Sequence, residues 1–314
     1  MRPRVRARGL LLPGLGVLLL GVGVLLPTVV VPRLETVPDD PDATVVLRAE
    51  DALVLDPSSQ TTITTGLTLT SHTAGFSGSG APPAGVAQWA TNSRIVSDDG
   101  AVRSETWEIQ AFDAHNGRAS SCCAGFRITT DGRSVPVERS GIVLKFPFGT
   151  RPVDQQVWDP ALGAATTATY VGEAEVGGVR AFEFRTEIPP TEVDEVTVPA
   201  AFMGIDSVRR VRVRQVYSGG RTMWVEPNTG GFLDLRQQVR QELVGLGRAA
   251  GRRTVAMDAS FVLTAESRAD AVDQWGQGVQ LGRMHRTYPV VLGALGILVL
   301  ALAAGLRRRR TPTG

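Results

Sequence analysis

Two long uncharged stretches flank a middle region in which apolar and polar residues alternate. The first runs from Gly9 to Pro32, and the second covers Tyr288–Leu306. Both reach the roughly 20 apolar residues that a helix needs to cross a bilayer core. In the middle region, short alternating stretches are separated by Gly, Pro, Asn and Asp, which is typical of antiparallel strands joined by turns. The pattern predicts a β-rich domain between two transmembrane helices.

This pattern divides the chain into five segments. They are a basic tip at 1–8, transmembrane helix 1 at 9–32, a β-rich extracytoplasmic domain at 33–287, transmembrane helix 2 at 288–306 and an Arg-rich tail at 307–314. Near the end of the domain, Val272, Trp275 and Val279 recur at helical spacing and predict an amphipathic helix at about 266–283. A cleaved signal peptide is the alternative for the first apolar segment. That segment is longer than the usual signal core of about 7–15 residues and lacks an A-x-A-like cleavage site.

The distribution of arginine gives the expected orientation of both helices. The N-terminal tip holds four arginines and no acid, and "RRRR" follows the second apolar stretch directly. The flanks that face the domain carry only Arg33, Arg283 and Arg286. Because basic residues are retained on the cytoplasmic side, both termini are expected in the cytoplasm. The domain is then expected on the other side of the plasma membrane.

Several turns of the middle region can be placed from their residues. Gly177-Gly178 predicts a two-residue hairpin, because both positions of such a turn favour a positive φ. Asp98-Asp99-Gly100 predicts a second hairpin. Pro189-Pro190 is expected to end a strand, since proline cannot donate to a ladder. Gly219-Gly220 and Asn228–Gly231 are expected to be the two turns of a three-strand meander.

The expected fold is mainly β, with a curved antiparallel sheet or barrel-like domain between the two helices. The aromatic side chains, Trp107 among them, are expected in its core. An outer-membrane barrel does not fit, because the strands are uneven, many carry charges, and apolar helices are foreign to such a barrel. No period of roughly 20–50 residues repeats, which argues against a solenoid or a propeller.

Charge and composition exclude several classes of function. The formal net charge is +2, and it falls to −6 when the eight arginines of the two termini are left out. The domain therefore lacks the positive charge of a nucleic-acid binder. The sequence contains no P-loop, G-x-S-x-G or H-E-x-x-H motif. His72, His115 and His285 lie far apart, and the acid pair of Asp154 and Asp159 precedes a proline that favours a turn. We expect no enzyme, metal or cofactor.

One charged pattern is a candidate binding surface. Arg210, Arg212 and Arg214 alternate with valines, so a strand at this position presents three guanidinium groups on one face. Such groups suit the phosphate or carboxylate of a lipid headgroup. The alternative is a solvated face that discourages pairing with other strand edges.

Cys122 and Cys123 are adjacent and are the two cysteines of the chain. An extracytoplasmic location permits disulfides, so a vicinal disulfide that braces a turn is one interpretation. A redox switch is the other, since a small strained ring is readily reduced. Two thiols alone cannot complete a structural zinc site.

The order of several segments carries a resemblance to a known family. The first apolar stretch ends in "VPRLETVP", and "GIVLKFPFGTRPVDQQVWDP", "VGGVRAFEFRTEIPP" and "RTMWVEPNTGGFLDL" follow before the last one. The cysteine pair precedes the "KFPF" segment. Over nearly its whole length the chain resembles the actinobacterial family of unknown function labelled porin PorA.

The resemblance implies a cell-envelope factor that binds or handles membrane lipids or envelope glycolipids outside the plasma membrane, without catalysis. On this hypothesis the sheet encloses an apolar cavity for acyl chains, lined by Phe182, Phe184 and Trp224, and the Arg210 strand meets the headgroup. The alternative is an interaction scaffold that docks on an envelope transporter or synthase. A channel, as the family label implies, is the third candidate.

Overall fold

The computed structural model describes residues 8–76, 82–123, 125–128 and 132–308. The chain divides into two compact units. The terminal segments, up to Thr36 and from Gln277 onward, form a helical unit, and Val37–Gly276 form a β unit. The predicted basic tip and Arg-rich tail lie almost entirely outside the described residues.

Two helical stretches are long and apolar enough to cross a membrane. The helices are α1 (Arg8–Leu25), α2 (Val31–Leu34), α3 (Ala265–Gly276), α4 (Gly278–Gly282) and α5 (Tyr288–Arg308), with π-helical turns at Leu26–Val30 and Arg283–Thr287. Large apolar side chains of α1 and α5, such as Leu11, Val17 and Val290, are exposed. Exposed apolar surface of this kind is what lipid contact requires.

Glycines bring α1 and α5 close together. A Cβ on Gly16 would lie 2.6 Å from Leu300 Cγ, and a Cβ on Gly296 would lie 2.8 Å from Leu20 Cγ. Small residues let membrane helices approach to backbone distance, which strengthens their packing. The helical unit is therefore a packed antiparallel helix pair.

The predicted amphipathic helix is shorter than expected. Helix α3 ends at Gly276, and a separate short helix begins at Gly278. Glycine is a poor helix former, so two of them favour a break at this point. Within the β unit, Trp275 packs over Gly231, where a Cβ would collide with the indole ring.

The β unit is built on one antiparallel sheet of 12 strands, which confirms the mainly β prediction. The strands are β1 (Asp42–Asp56), β2 (Thr61–Gly75), β3 (Val86–Ser97), β4 (Val102–Asp113), β5 (Phe126–Ile128), β6 (Ser134–Pro136), β7 (Gln155–Asp159), β8 (Ala164–Val176), β9 (Val179–Pro199), β10 (Arg210–Val225), β11 (Phe232–Gly245) and β12 (Arg253–Leu263). Their order is β6-β5-β4-β3-β2-β1-β12-β11-β10-β9-β8-β7, so each half of the chain is a meander. The halves join where β1 pairs with β12.

The sheet curves until its two halves share a core. Leu67 on β2 and Ile188 on β9 belong to the same buried cluster, although β1, β12, β11 and β10 lie between them in the sheet. The ladder of named strands is open, with β6 and β7 at its edges. Isolated bridges continue from β4 towards β7 through Phe112–Ala119, Arg118–Ile142 and Ile142–Val157. We call the concave face of the sheet its inner face and the opposite face its outer face.

The prediction that Gly219-Gly220 forms a turn is wrong. Strand β10 runs straight through both glycines. A Cβ on Gly219 would collide with the carbonyl oxygen of Gln238, and a Cβ on Gly220 with that of Thr186. Glycine is therefore required at both positions because the backbones of β9 and β11 approach β10 closely. The predicted three-strand meander is a pair of longer strands, β10 and β11.

The prediction that Pro189-Pro190 ends a strand is also wrong, since β9 continues to Pro199. The register against β10 shifts between Tyr217 and Gly219, so the two prolines lie in a bulge. Strand β8 pairs with β9 only as far as Arg185. At both positions, therefore, no hydrogen bond between strands depends on the N–H group that proline lacks.

Candidate functional site

The three predicted arginines lie on the outer face of β10, and the valines between them are buried, as the alternation predicted. Each arginine has a partner on the neighbouring strand β9. The pairs are Arg210 with the Thr197 carbonyl oxygen, Arg212 with Glu195 (Nε–Oε1 2.6 Å) and Arg214 with Glu192. The Arg212 side chain is nevertheless 69% exposed. Exposed pairs of this kind contribute less than about 1 kcal/mol, so an anionic ligand can compete with the glutamates.

The predicted cavity residues lie on two different faces of the sheet. Phe182 and Phe184 are buried on the inner face, where the ring centroid of Phe146 lies 4.7 Å from that of Phe184. Trp224 lies on the outer face, with the Arg236 guanidinium 5.3 Å from its ring centroid. The structure brings the two phenylalanines together in a packed aromatic cluster and places the tryptophan apart from them.

Cys122 and Cys123 are joined by a disulfide. Both residues are half-buried, and Cys123 has φ +55°, a conformation that L-residues other than glycine seldom adopt. The Cys122 N–H donates to Ser120 Oγ at 3.3 Å. The pair therefore shapes a tight turn directly after the stretch that bridges β4 to Ile142.

A buried polar cluster at the end of β7 joins Asp159, which was expected at a turn, to Tyr217 and Arg221, and this association was not predicted from the sequence. Asp159 opens a turn as expected, because its Oδ1 accepts from the backbone N–H groups of Ala161 and Leu162 at 2.9 and 2.8 Å. Its Oδ2 lies 3.2 Å from Arg221 Nη2 and accepts a long hydrogen bond of 3.5 Å from the Tyr217 hydroxyl. Burial, with Asp159 beside it, raises the pKa of Tyr217 to about 12.

A second cluster of buried charged side chains lies on the inner face of β4. Glu108 binds Arg127 at 2.6 Å and Arg139 at 3.2 Å, and Arg127 also donates to the Pro160 carbonyl oxygen at 2.9 Å. The turn after β7 is therefore held by a guanidinium from β5 as well as by one from β10. The sequence signal for this group was weak: polar residues at every second position of β4, with Trp107 between them.

The orientation of β4 reverses the prediction for Trp107. This side chain is 49% exposed on the outer face, and Glu108 faces inward. The two arginines that face Glu108 offset the cost of burying a carboxylate. In the described ranges, no group of three or more His, Cys, Asp or Glu side chains is placed to hold a metal ion.

A groove of about 580 Å³ lies where β1 and β12 lose register. Its walls combine polar and apolar residues of β1, β12 and the residue after β12: Arg48, Ala49, Glu50, Asp51, Leu53, Asp258, Ala259, Ser260, Val262, Leu263 and Thr264. Glu50 and Asp51 fall in a bulge that is out of register with β2 as well. Such mixed walls offer hydrogen-bonding groups to a ligand beside apolar surface.

A sequence profile of the Porin PorA family matches residues 8–305, from the first apolar helix through the β unit to the last. The chain belongs to the Porin PorA family. The resemblance seen in the segment order is thereby confirmed.

Two relatives that carry the name Porin PorA are similar to this chain. One, from Corynebacterium resistens, is 25% identical, and the match covers 56% of this chain and 58% of the relative. The other, from Corynebacterium amycolatum, is 22% identical, and the match covers 57% of each. The chain therefore spans less than two thirds of the length of these curated relatives.

Proposed function

We propose that this member of the Porin PorA family is a two-pass protein of the plasma membrane with both termini in the cytoplasm. Its β unit would lie outside the membrane and would bind or handle envelope lipids or glycolipids without catalysis. The two apolar helices and the arginines beyond them support this topology. Protease added outside wall-free cells should digest the β unit and leave the termini protected; an intact β unit would contradict the topology.

The observation that carries the lipid proposal is the exposed arginine face of β10. Guanidinium groups at successive outward positions suit anionic headgroups, and Arg212 is largely exposed despite its glutamate partner. The groove beside Glu50 and Asp51, with its polar and apolar walls, is a second candidate contact for such a lipid. The packed aromatic cluster around Phe184 favours contact with headgroups at the outer surface over enclosure of acyl chains.

Lipid extraction of the purified full chain, followed by mass spectrometry, tests this function. We expect envelope lipids to co-purify with the natural chain and to be depleted in the double variant Arg212→Ala/Arg214→Ala. The matched control is Arg180→Ala/Arg185→Ala, which removes two other exposed arginines that pair with glutamates. Equal lipid content in both double variants would contradict a headgroup role for the β10 arginines.

The second candidate is a scaffold that docks on an envelope transporter or synthase. Trp107 favours it, because this half-exposed indole lies directly opposite Ile128, another exposed apolar side chain, on strands near the sheet edge. Exposed aromatic residues are enriched at protein interfaces. A photoreactive residue at position 107 should then crosslink to one membrane protein in cells, whereas crosslinking to lipid alone would contradict docking.

The third candidate is the channel named in the relatives' description. Conductance of the purified chain in a planar bilayer tests it directly. The exposed ion pairs of the outer face argue against strands that contact lipid.

A further inference from the structure

Two loops are held together at one end of the sheet. Arg252, in the loop between β11 and β12, donates to the carbonyl oxygens of Met203 and Gly204 at 3.1 and 2.7 Å. Thr254 Oγ1 donates to the Phe202 carbonyl oxygen at 2.7 Å. An apolar cluster contributed by β10, β11 and both loops lies beneath these contacts. The loop between β9 and β10 therefore rests on its neighbour as a fixed platform.

This platform carries an excess of positive charge. Residues 200–212 and 246–253 contain six arginines and one acid, and two of these arginines, Arg212 and Arg253, pair with glutamates outside these ranges. Arg209, Arg210 and Arg248 are exposed, and among the described residues no carboxylate is found paired with any of the three. They differ in this from Arg212 and Arg214 on the adjoining strand. Within the described part of the chain, Arg210 donates only to the Thr197 carbonyl oxygen, so all three guanidinium groups are available to phosphate oxygens without first losing a carboxylate.

An apolar side chain projects from the same platform. Val208 is 105% exposed, and it directly precedes Arg209 and Arg210. A fully exposed valine beside two arginines buries none of its apolar surface within the chain. At a bilayer surface, an apolar group can enter the boundary between headgroups and acyl chains while basic groups stay at the phosphates.

We propose that Val208, Arg209, Arg210 and Arg248, called here the arginine end, bind the surface of an anionic lipid bilayer. The cations come from two loops, so they match a layer of separate headgroups better than a single ion. This inference rests on the proposed function and deepens it, because it assigns lipid contact to the strand ends as well as to the outer face of β10.

The test uses the full chain, reconstituted in nanodiscs of phosphatidylcholine and floated with vesicles. We expect it to float with vesicles that contain phosphatidylglycerol and not with pure phosphatidylcholine vesicles. Each arginine at an anionic surface contributes about fivefold to the binding constant. Arg209→Ala/Arg248→Ala should therefore weaken binding by about 25-fold, and Val208→Asp should weaken it further.

The control Arg180→Ala/Arg185→Ala removes the same charge from exposed positions outside the arginine end and should change binding less than about twofold. An equal loss in both double variants, or no flotation of the natural chain, would overturn the proposal. Displacement by inorganic phosphate at constant ionic strength would also overturn it in favour of a single-anion site. If a chain that fails this test still co-purifies with lipid, the proposed function is retained and only the arginine end is excluded as a lipid-binding surface.

Discussion

The inner and outer faces of the sheet differ in both chemistry and packing. The inner face holds large apolar clusters around Tyr217, Phe184 and Phe261, and its buried charges are paired. The outer face carries exposed ion pairs between strands, such as Arg240 with Asp258. A transmembrane β-barrel requires the opposite order, with apolar side chains outward. The comparison favours strands surrounded by water, and the apolar helices are the stretches long enough to cross a membrane.

Removing an aromatic side chain should cost far more on the inner face than on the outer face. Phe184→Ala deletes a fully buried ring and should lower the free energy of unfolding by about 3–5 kcal/mol. Trp224→Ala is the matched outer-face variant and should cost less than half as much. Chemical denaturation followed by near-UV circular dichroism measures both. Equal losses would show that the inner face is not the packed one.

Breaking an ion pair should show the same contrast. Asp159→Asn keeps an oxygen for the turn but leaves Arg221 without its carboxylate, at a cost of about 2–4 kcal/mol. Asp258→Asn breaks the exposed outer-face pair with Arg240 and should leave the unfolding midpoint unchanged. A large effect of Asp258→Asn, or none of Asp159→Asn, would contradict the assignment of the faces.

Alkaline pH should reveal the buried Tyr217. Its pKa is raised to about 12 in the folded chain, whereas an unfolded tyrosine ionises near pH 10. The stabilising contribution is complete below about pH 10 and is lost as pH rises through about 12, a loss of roughly 2 kcal/mol. Unfolding curves of Tyr217→Phe should lack this component. Identical pH dependence in both proteins would place Tyr217 in contact with water.

The smallest effect is expected for a single outer-face arginine. Arg212→Ala removes an exposed pair with Glu195, and such pairs contribute less than about 1 kcal/mol. We expect no change in the unfolding midpoint, together with weaker lipid retention. A marked loss of stability would mean that this arginine is structural and would remove it from the candidate site.

Features that depend on neighbouring residues in the sequence could be predicted. Gly177-Gly178 forms the expected hairpin, with φ values of +57° and +80°, because the turn type is decided by these two residues. The alternation of arginine and valine around Arg212 likewise predicted that the arginines share one exposed face. The two apolar helices followed from length and hydropathy alone. Each of these inferences needed only a short window of sequence.

Features that depend on distant partners could not be predicted. Gly219 lies in mid-strand because the Gln238 backbone approaches it, and no local signal distinguishes that use from a turn. Glu108 faces inward because arginines about 20 and 30 residues later neutralise it. The arginine end was missed for the same reason, since Arg209 and Arg248 lie on two loops that are far apart in sequence and dock in the fold.

Accessibility of the two faces to water tests the account most directly. Ala259 is buried on the inner face of β12, and the adjacent Ser260 is exposed on the outer face. Single cysteines at these positions change the side chains little, and the natural cysteines are held in a disulfide. In the folded full chain, a membrane-impermeant maleimide should label Ser260→Cys rapidly and Ala259→Cys only after unfolding. Rapid labelling of Ala259→Cys would reveal a water-filled interior, as a channel requires, and would contradict the account.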